Sequence, residues 1–421
     1  MPTVAALSAL EILDSRGRPT VKVSCRLADG AAASASVPSG ASTGAAEAIE
    51  LRDGDASRYH GLGCRQAVAN VCGEIASAVC GNSLQDQGQL DRLLIELDGT
   101  VNKSRLGANA ILGVSLAFAR ASAATRRIPL HAYFASLLGR PPENLSLPEP
   151  TVNLFSGGLH AGGQVAIQDV LVVPLAATRM DEALAMVYAI YTAAAEFCEK
   201  KYGTRPLTAD EGGLAPPFPD VETMLEDAVN SIRAAGLVPG KDAALAVDVA
   251  ASHFFEDGSY QIGSQSLDSV AMVERILSWV STYPIVSVED GLAEDDWPHW
   301  PQLRERLTGQ AIVLGDDLLC THPGRIRRAI DEKAANALLL KVNQIGTMTE
   351  AADAYRLARE ADWHVTVSAR SGETEDNWLA DLAVGWQGDH IKIGSITQSE
   401  RLAKYNRLLE IEAETGWQIC R

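Results

Sequence analysis

The chain has 421 residues, 54 acidic against 36 basic side chains, a formal net charge of −18, and 47% hydrophobic with 21% charged residues. Those proportions are ordinary for a soluble globular enzyme, exclude a disordered chain and predict two or three domains. The negative balance argues against nucleic acid or an anionic membrane as the main partner, so local cations must attract any anionic ligand.

Residues 3–35 alternate in the manner of strands, VAALSALEIL and then TVKVSCRLA, separated by the turn-rich DSRGRP and ADG, which predicts a meander. From Arg65 the apolar spacing becomes three and four residues in RQAVANVCGEIASAVC, LQDQGQLDRLLIELDG and RLGANAILGVSLAFARASAATRR, predicting helices. Residues 1–137 therefore read as an α+β domain. The stretch 138–150, LGRPPENLSLPEP, holds four prolines and marks the start of a second domain, 138–421. There TVNLFSGGLH and VAIQDVLVVP predict two strands before a long helix, and PLTADEGGLAPPFP at 206–219 is too rich in Gly and Pro to be helical.

Six apolar runs follow, each ending on or near a charge: ALAVDV at Asp248, PIVSVED at Glu289, AIVLGDD at Asp316, ALLLKVN at Lys341, HVTVSARS at Arg370 and HIKIG at Lys392. Their spacing of 22 to 41 residues suits a strand, a helix and two loops, the rhythm of repeated βα units. In a (β/α) barrel such strand ends meet at one mouth, which suggests metal-assisted chemistry on an anionic substrate. One acid alone would more often cap the next helix; three on consecutive strands favour a hard ion, magnesium or manganese, over zinc.

Lys341 lies in an apolar strand, so it is either paired with the acids or has its pKa pushed down, as a general base would. Lys392 poses the same question, and at a shared mouth each cation disfavours protonation of the other. Arg370 and Ser371 suit phosphate or phosphonate oxygens, although an arginine closing a strand is more often a surface residue. PSGASTG at 38–44, with Ser42, reads as a lid or an ordinary turn; His160 in GGLHAGG as a site or loop residue; Glu211 in DEGG as an acid or an exposed loop side chain. The seven cysteines include no CxxC pair, which predicts reduced thiols in a cytoplasmic protein, with no secretion signal and no membrane segment.

LDSRGRPTV, PSGASTGAAEAIELRDGD, LDGTVNKSRLGANAILGVSLA, NLFSGGLHAGG, DEGGLAPP, SVEDGLAEDDW, LGDDL, LLLKVNQIGT, SGETED and SERLAKYN together make the chain resemble the enolase family over nearly its whole length. The resemblance implies an N-terminal α+β domain before an enolase-type eight-stranded α/β barrel, usually in a homodimer. It implies that Asp248, Glu289 and Asp316 hold one Mg2+ and that Ser42 completes a second. Lys341 would remove the C2 proton of a small phosphorus-containing hydroxy acid, and Glu211 would protonate the departing hydroxyl. Lys392 would bind the substrate carboxylate, Arg370 and Ser371 the phosphorus group, and His160 would line the pocket.

Two departures stand out. The family's HRSGETED is ARSGETED here, with Ala369 for His, and its QE is Gln168 followed by Asp169, an active-site acid one methylene shorter. Gly291, Ile393 and GSITQSER are smaller differences nearby. The metal acids, lysines and anchor survive while the wall is trimmed. That predicts a bulkier substrate, as in carboxyphosphonoenolpyruvate synthase of phosphonate and phosphinate antibiotic biosynthesis. The alternatives are a housekeeping enolase making phosphoenolpyruvate and a non-catalytic binding protein on the same fold.

Overall fold

The computed structural model of the chain describes residues 1–41, 44–141, 145–203, 205 and 207–420. Val4–Leu13, Pro19–Leu27 and Ala32–Ser36 pair as an antiparallel meander. Helix Ala108–Arg126 packs on it, and helices Gln87–Asp98 and Leu130–Leu137 pack on that helix. Gln87–Asp98 starts where Asp86 accepts a hydrogen bond from Gln89 N at 2.8 Å, a side-chain N-cap. Ala108–Arg126 is buried on nearly every side because the meander covers one face and neighbouring helices cover the others.

Eight strands then close into a barrel: Glu149–Ser156, Asp169–Val173, Ala244–Asp248, Ile285–Glu289, Ile312–Gly315, Ala337–Leu340, His364–Ser368 and His390–Gly394. The second runs antiparallel to both neighbours and the remaining contacts are parallel. Helices Met180–Tyr202 and Val221–Ala234 follow this first pair, and thereafter each barrel strand leads to a helix, Ala244–Asp248 only after a small three-stranded sheet spanning 255–267. No helix among the described residues is long and apolar enough to cross a membrane.

Alternate residues of a strand face the barrel axis. Leu171, Val173 and Ala246 fill one side of that interior, and Leu314, Ala337 and Leu339 another, both separate from the larger core between strands and helices. One layer nearer the strand ends, the same alternation turns Asp169, Asp248, Glu289 and Lys392 inward.

The N-terminal helix Leu130–Leu137 lies against the barrel helix Trp378–Trp386, joined by Trp386 Nε1 donating to Phe134 O at 3.1 Å. Gly385 permits this approach: a Cβ there would lie 2.3 Å from His131 O and 2.9 Å from Phe134 Cβ. Alanine would gain about 1 kcal/mol of helix propensity. A clash with a carbonyl that cannot rotate away costs more, about 1–3 kcal/mol. Gly385→Ala is therefore expected to melt below the parent in a calorimetric scan, and an equal or higher melting temperature would refute this packing argument.

Candidate active site

The barrel register sets the charges side by side. Asp169 pairs across strands with Asp248, and Asp248 with Glu289, while Lys392 pairs with Ser368. Directly opposed residues project to the same face, so three buried carboxylates crowd one rim, which is repulsive without counter-charge. Lys392 supplies it from the middle of its strand. Its Nζ donates to Asp248 Oδ2 at 2.8 Å and to both oxygens of Glu289 at 2.8 and 2.7 Å.

Asp316 and Lys341 each lie one residue beyond a strand and meet each other at 2.5 Å. Burial would depress the Lys341 pKa, and Arg370 and Lys392 add to that, but Asp316 and Glu289 outweigh them and hold it above the ordinary lysine value. Of the two outcomes open from the sequence, pairing prevails over a lowered pKa. Lys392 is likewise raised well above its usual value, because Asp248 and Glu289 more than offset burial. Mutual repulsion between the cations is therefore present and overridden.

Burial lifts both Asp248 and Glu289. Lys392 overcomes this at Asp248, which is held low, but not at Glu289, which the Asp248 charge lifts further. The mouth thus has more negative charge than its lysines cancel. The donors are all carboxylate oxygens, a set that fits a hard divalent ion such as magnesium. Among the described residues, the ligand atoms that already gather within 4.8 Å belong to His160, Asp169 and Glu211, and to Asp290, Asp316 and Asp317. Asp248 and Glu289 join neither group; Lys392 is bound to both. Ser42 lies outside the described residues.

His160 and Asp169 form a buried pair, Nδ1 to Oδ2 at 3.0 Å, with Ser156 Oγ donating to Asp169 Oδ1 at 2.6 Å. Burial alone would push His160 down; the Asp169 charge and hydrogen bond instead raise it to about 9. Glu211 is buried too, its Oε2 accepting from Asn153 Nδ2 at 3.2 Å and its Oε1 lying 4.0 Å from His160 Nε2. Burial pushes Glu211 up, but His160, Arg401, Lys392 and Lys341 outweigh it and hold the carboxyl below its ordinary value.

Arg370 is buried rather than at the surface, and its Nη1 and Nη2 donate to the two oxygens of Glu47 at 2.9 and 3.2 Å. Arg401 fixes the backbone there, donating to Arg370 O at 2.7 Å and Ser371 O at 2.6 Å. Ser371 Oγ in turn accepts from Arg16 Nη1 at 3.5 Å. The loop before Ser42 joins this floor, with Ser39 and Gly372 exchanging backbone hydrogen bonds of 2.8 and 2.9 Å.

One narrow cavity is lined by His160, Gln168, Glu211, Asp248, Lys341, Ala369, Arg370, Ser371 and Lys392. Every expected residue within the described chain lines it or, as with Asp169, Glu289 and Asp316, hydrogen-bonds to a residue that does. Glu47, Gln344, Asn153 and Arg401 also belong to the arrangement and were not singled out from the sequence. Gln168 donates to Asp248 Oδ2 at 3.2 Å, and its buried Oε1 has no partner among the described residues. Its signal was its place before Asp169; the others carry none, since their partners are distant in sequence.

Residues 4–134 match the family description "Enolase, N-terminal domain", and residues 144–420 match "Enolase, C-terminal TIM barrel domain". A protein of Desulfotalea psychrophila named Enolase is 48% identical over 418 residues, covering 98% of this chain and 97% of its own length. With the barrel, its charged mouth and both matches in agreement, the chain belongs to the enolase family and is a carbon–oxygen lyase of the hydro-lyase type.

Proposed function

We propose that this enzyme dehydrates 2-phosphoglycerate to phosphoenolpyruvate, and that it does so in the cytoplasm as a homodimer with domains 1–137 and 138–421. The observation that carries the reading is the single cavity onto which Lys341, Glu211, Arg370 and Lys392 all open. The likeness to a protein named Enolase at 48% identity supports this substrate over a specialised one.

In this reading Lys341 takes the C2 proton and Glu211 returns one to the leaving C3 hydroxyl, with the His160–Asp169 pair setting the charge around Glu211. Arg370 and Ser371 receive the phosphorus group and Lys392 the carboxylate. Asp248, Glu289 and Asp316 would hold one magnesium and Ser42 would help hold a second. Magnesium there would supply positive charge for the enediolate; without it the C2 proton of the substrate is too weakly acidic to remove at a useful rate.

Phosphoenolpyruvate formation from 2-phosphoglycerate, followed by absorbance with and without chelator, tests the reading. We expect magnesium-dependent turnover that falls by about 10²–10⁴-fold in Lys341→Ala and in Glu211→Gln, typical of a lost general base or acid. Absence of turnover with magnesium bound would rule out this substrate, and absence of both would favour a non-catalytic binding protein. Light scattering of the eluted protein at a monomer mass would overturn the dimer.

The trimmed wall favours a second reading. Ala369 faces the cavity beside Arg370, and Asp169 is the shorter acid. In this reading the volume missing at Ala369 would accommodate a glycerate bearing a phosphonoformyl group, the substrate of carboxyphosphonoenolpyruvate synthase. Ala369→His discriminates: under this reading it raises kcat/KM for 2-phosphoglycerate and lowers it for the bulkier acid. A parent enzyme already turning over 2-phosphoglycerate faster than its Ala369→His variant would discard the second reading.

Stability gives an independent check on the charge balance. Removing one partner of a buried ion pair costs about 3–5 kcal/mol because the other charge is stranded. Lys392→Met should therefore melt well below the parent in chelator. Saturating magnesium should recover part of the loss, since an ion bound only to the folded state stabilises it. A variant as stable as the parent in chelator would contradict the role of Lys392 as counter-ion.

A further inference from the structure

The proposed anion side and metal side of the cavity are joined by a side chain that does not line it. Gln344 sits in the single turn Val342–Ile345 directly after Lys341, fully buried. Its Nε2 donates to Asp316 Oδ1 at 2.8 Å and to Glu47 Oε1 at 3.3 Å, so one amide holds two carboxylates. Its Oε1 accepts from Thr321 Oγ1 at 2.9 Å, and the same hydroxyl accepts from Lys341 N at 2.9 Å. An amide offers two donors in a fixed plane, so the spacing of Asp316 and Glu47 is set by its geometry.

Glu47 completes the connection. Its two oxygens grip the Arg370 guanidinium, and Oε1 also accepts from Gly44 N at 3.1 Å. Glu47 belongs to a segment of the N-terminal domain seated on the barrel at two further points, Ala48 N to Gln344 O at 2.7 Å and Ala45 N to Glu294 Oε2 at 3.1 Å. Gly44 itself lies against Cys320, where a Cβ would come within 2.5 Å of Sγ. Cys320 and Thr321 both adopt left-handed backbone, φ 48° and 50°, uncommon for any residue but glycine and rarest for a β-branched one such as Thr321, at a cost on the order of 1–3 kcal/mol each. That strain turns the Thr321 hydroxyl toward both Gln344 and the Lys341 backbone. It is maintained although neither residue lines the cavity.

We infer that Gln344 and Glu47 are positioning residues: Gln344 aims the Asp316 carboxylate, Glu47 aims the Arg370 guanidinium, and the hydrogen bond between them ties the two to the seating of residues 44–48. The inference rests on the proposed roles of Asp316 in metal binding and Arg370 in anion binding. Hydrogen bonds to a metal-binding carboxylate from outside the ligand set typically change metal affinity by 10–100-fold when removed.

Gln344→Met keeps the length and removes both donors and the acceptor; Glu47→Gln keeps the shape and removes the charge facing Arg370. Magnesium titration of the metal-free full-length protein by calorimetry should give a Kd about 10-fold weaker in Gln344→Met. It should remain within about twofold of the parent in Glu47→Gln, because Gln344 still holds Asp316. At saturating magnesium, Glu47→Gln should raise KM for 2-phosphoglycerate about 10-fold with a smaller change in kcat, as expected for a misaimed anchor. The double variant should lose less than the product of the single effects, since the residues share a hydrogen bond.

Folded Gln344→Met with parental magnesium affinity would overturn the inference, as would a Glu47→Gln whose KM is unchanged. If Gln344→Met fails to fold, Gln344→Asn retains the amide one methylene short and is held to the same magnesium criterion. The magnesium arm requires no turnover. Failure of the parent to dehydrate 2-phosphoglycerate would thus strike the proposed function alone, and calorimetry would still decide this inference.

Discussion

Three carboxylates on adjacent strands, Asp169, Asp248 and Glu289, share one rim in register, and every one is buried. Unit charges at about 4 Å repel by roughly 4 kcal/mol at an effective dielectric of 20, so this rim would not persist without cations. The barrel meets the requirement with long side chains from the opposite arc. Lys392 reaches across the axis to Asp248 and Glu289, and Lys341 reaches Asp316. Apolar residues fill the axis below, which keeps water from doing the same work.

The same constraint reaches into the N-terminal domain. Arg370 brings another positive charge to the mouth, and its burial is tolerable because Glu47 arrives from that domain to pair with it. Arg401 and Lys404, on the helix Ser399–Thr415, then hold the 370–374 backbone, Lys404 donating to Thr374 O at 2.7 Å and pairing with Glu373 at 2.9 Å. The domain contact is therefore part of the site's charge balance as well as a packing surface.

Much of this was legible in the sequence, for physical reasons. Continuous apolar runs at βα spacing announce buried strands, and an ionisable group at each end requires a partner, so Asp248, Glu289, Asp316, Lys341 and Lys392 stand out before any fold is known. The two strands before the long helix were legible as strands, but their antiparallel pairing depends on a connection, Gly157–Gln168, with no crossover helix. Glu47 and Gln344 were not legible. Neither stands at the end of a strand run, and their hydrogen bond joins residues 297 apart. Nor does residue type alone announce the left-handed backbone at Cys320 and Thr321, since neither is a glycine.

The shorter Asp169 also has a settled place. It accepts from Ser156 and pairs with His160, so the lost methylene leaves no stranded carboxylate. That arrangement bears on proton traffic. As the site stands, Lys341 is held protonated by Asp316, and Glu211 is held ionised by His160 and the neighbouring cations. Elimination with Lys341 as base and Glu211 as acid needs both in the opposite state. A cation held at Asp316 would withdraw charge that favours protonated Lys341, and an anion beside Glu211 would offset the cations that favour its ionised form; each change would move its group the required way. In the proposed reaction, loading of the site would therefore have to shift both groups away from the directions that the scaffold alone imposes. Proton abstraction would then wait for the substrate and the positive charge that stabilises its product, which is the order that a reaction through a strongly basic enediolate demands.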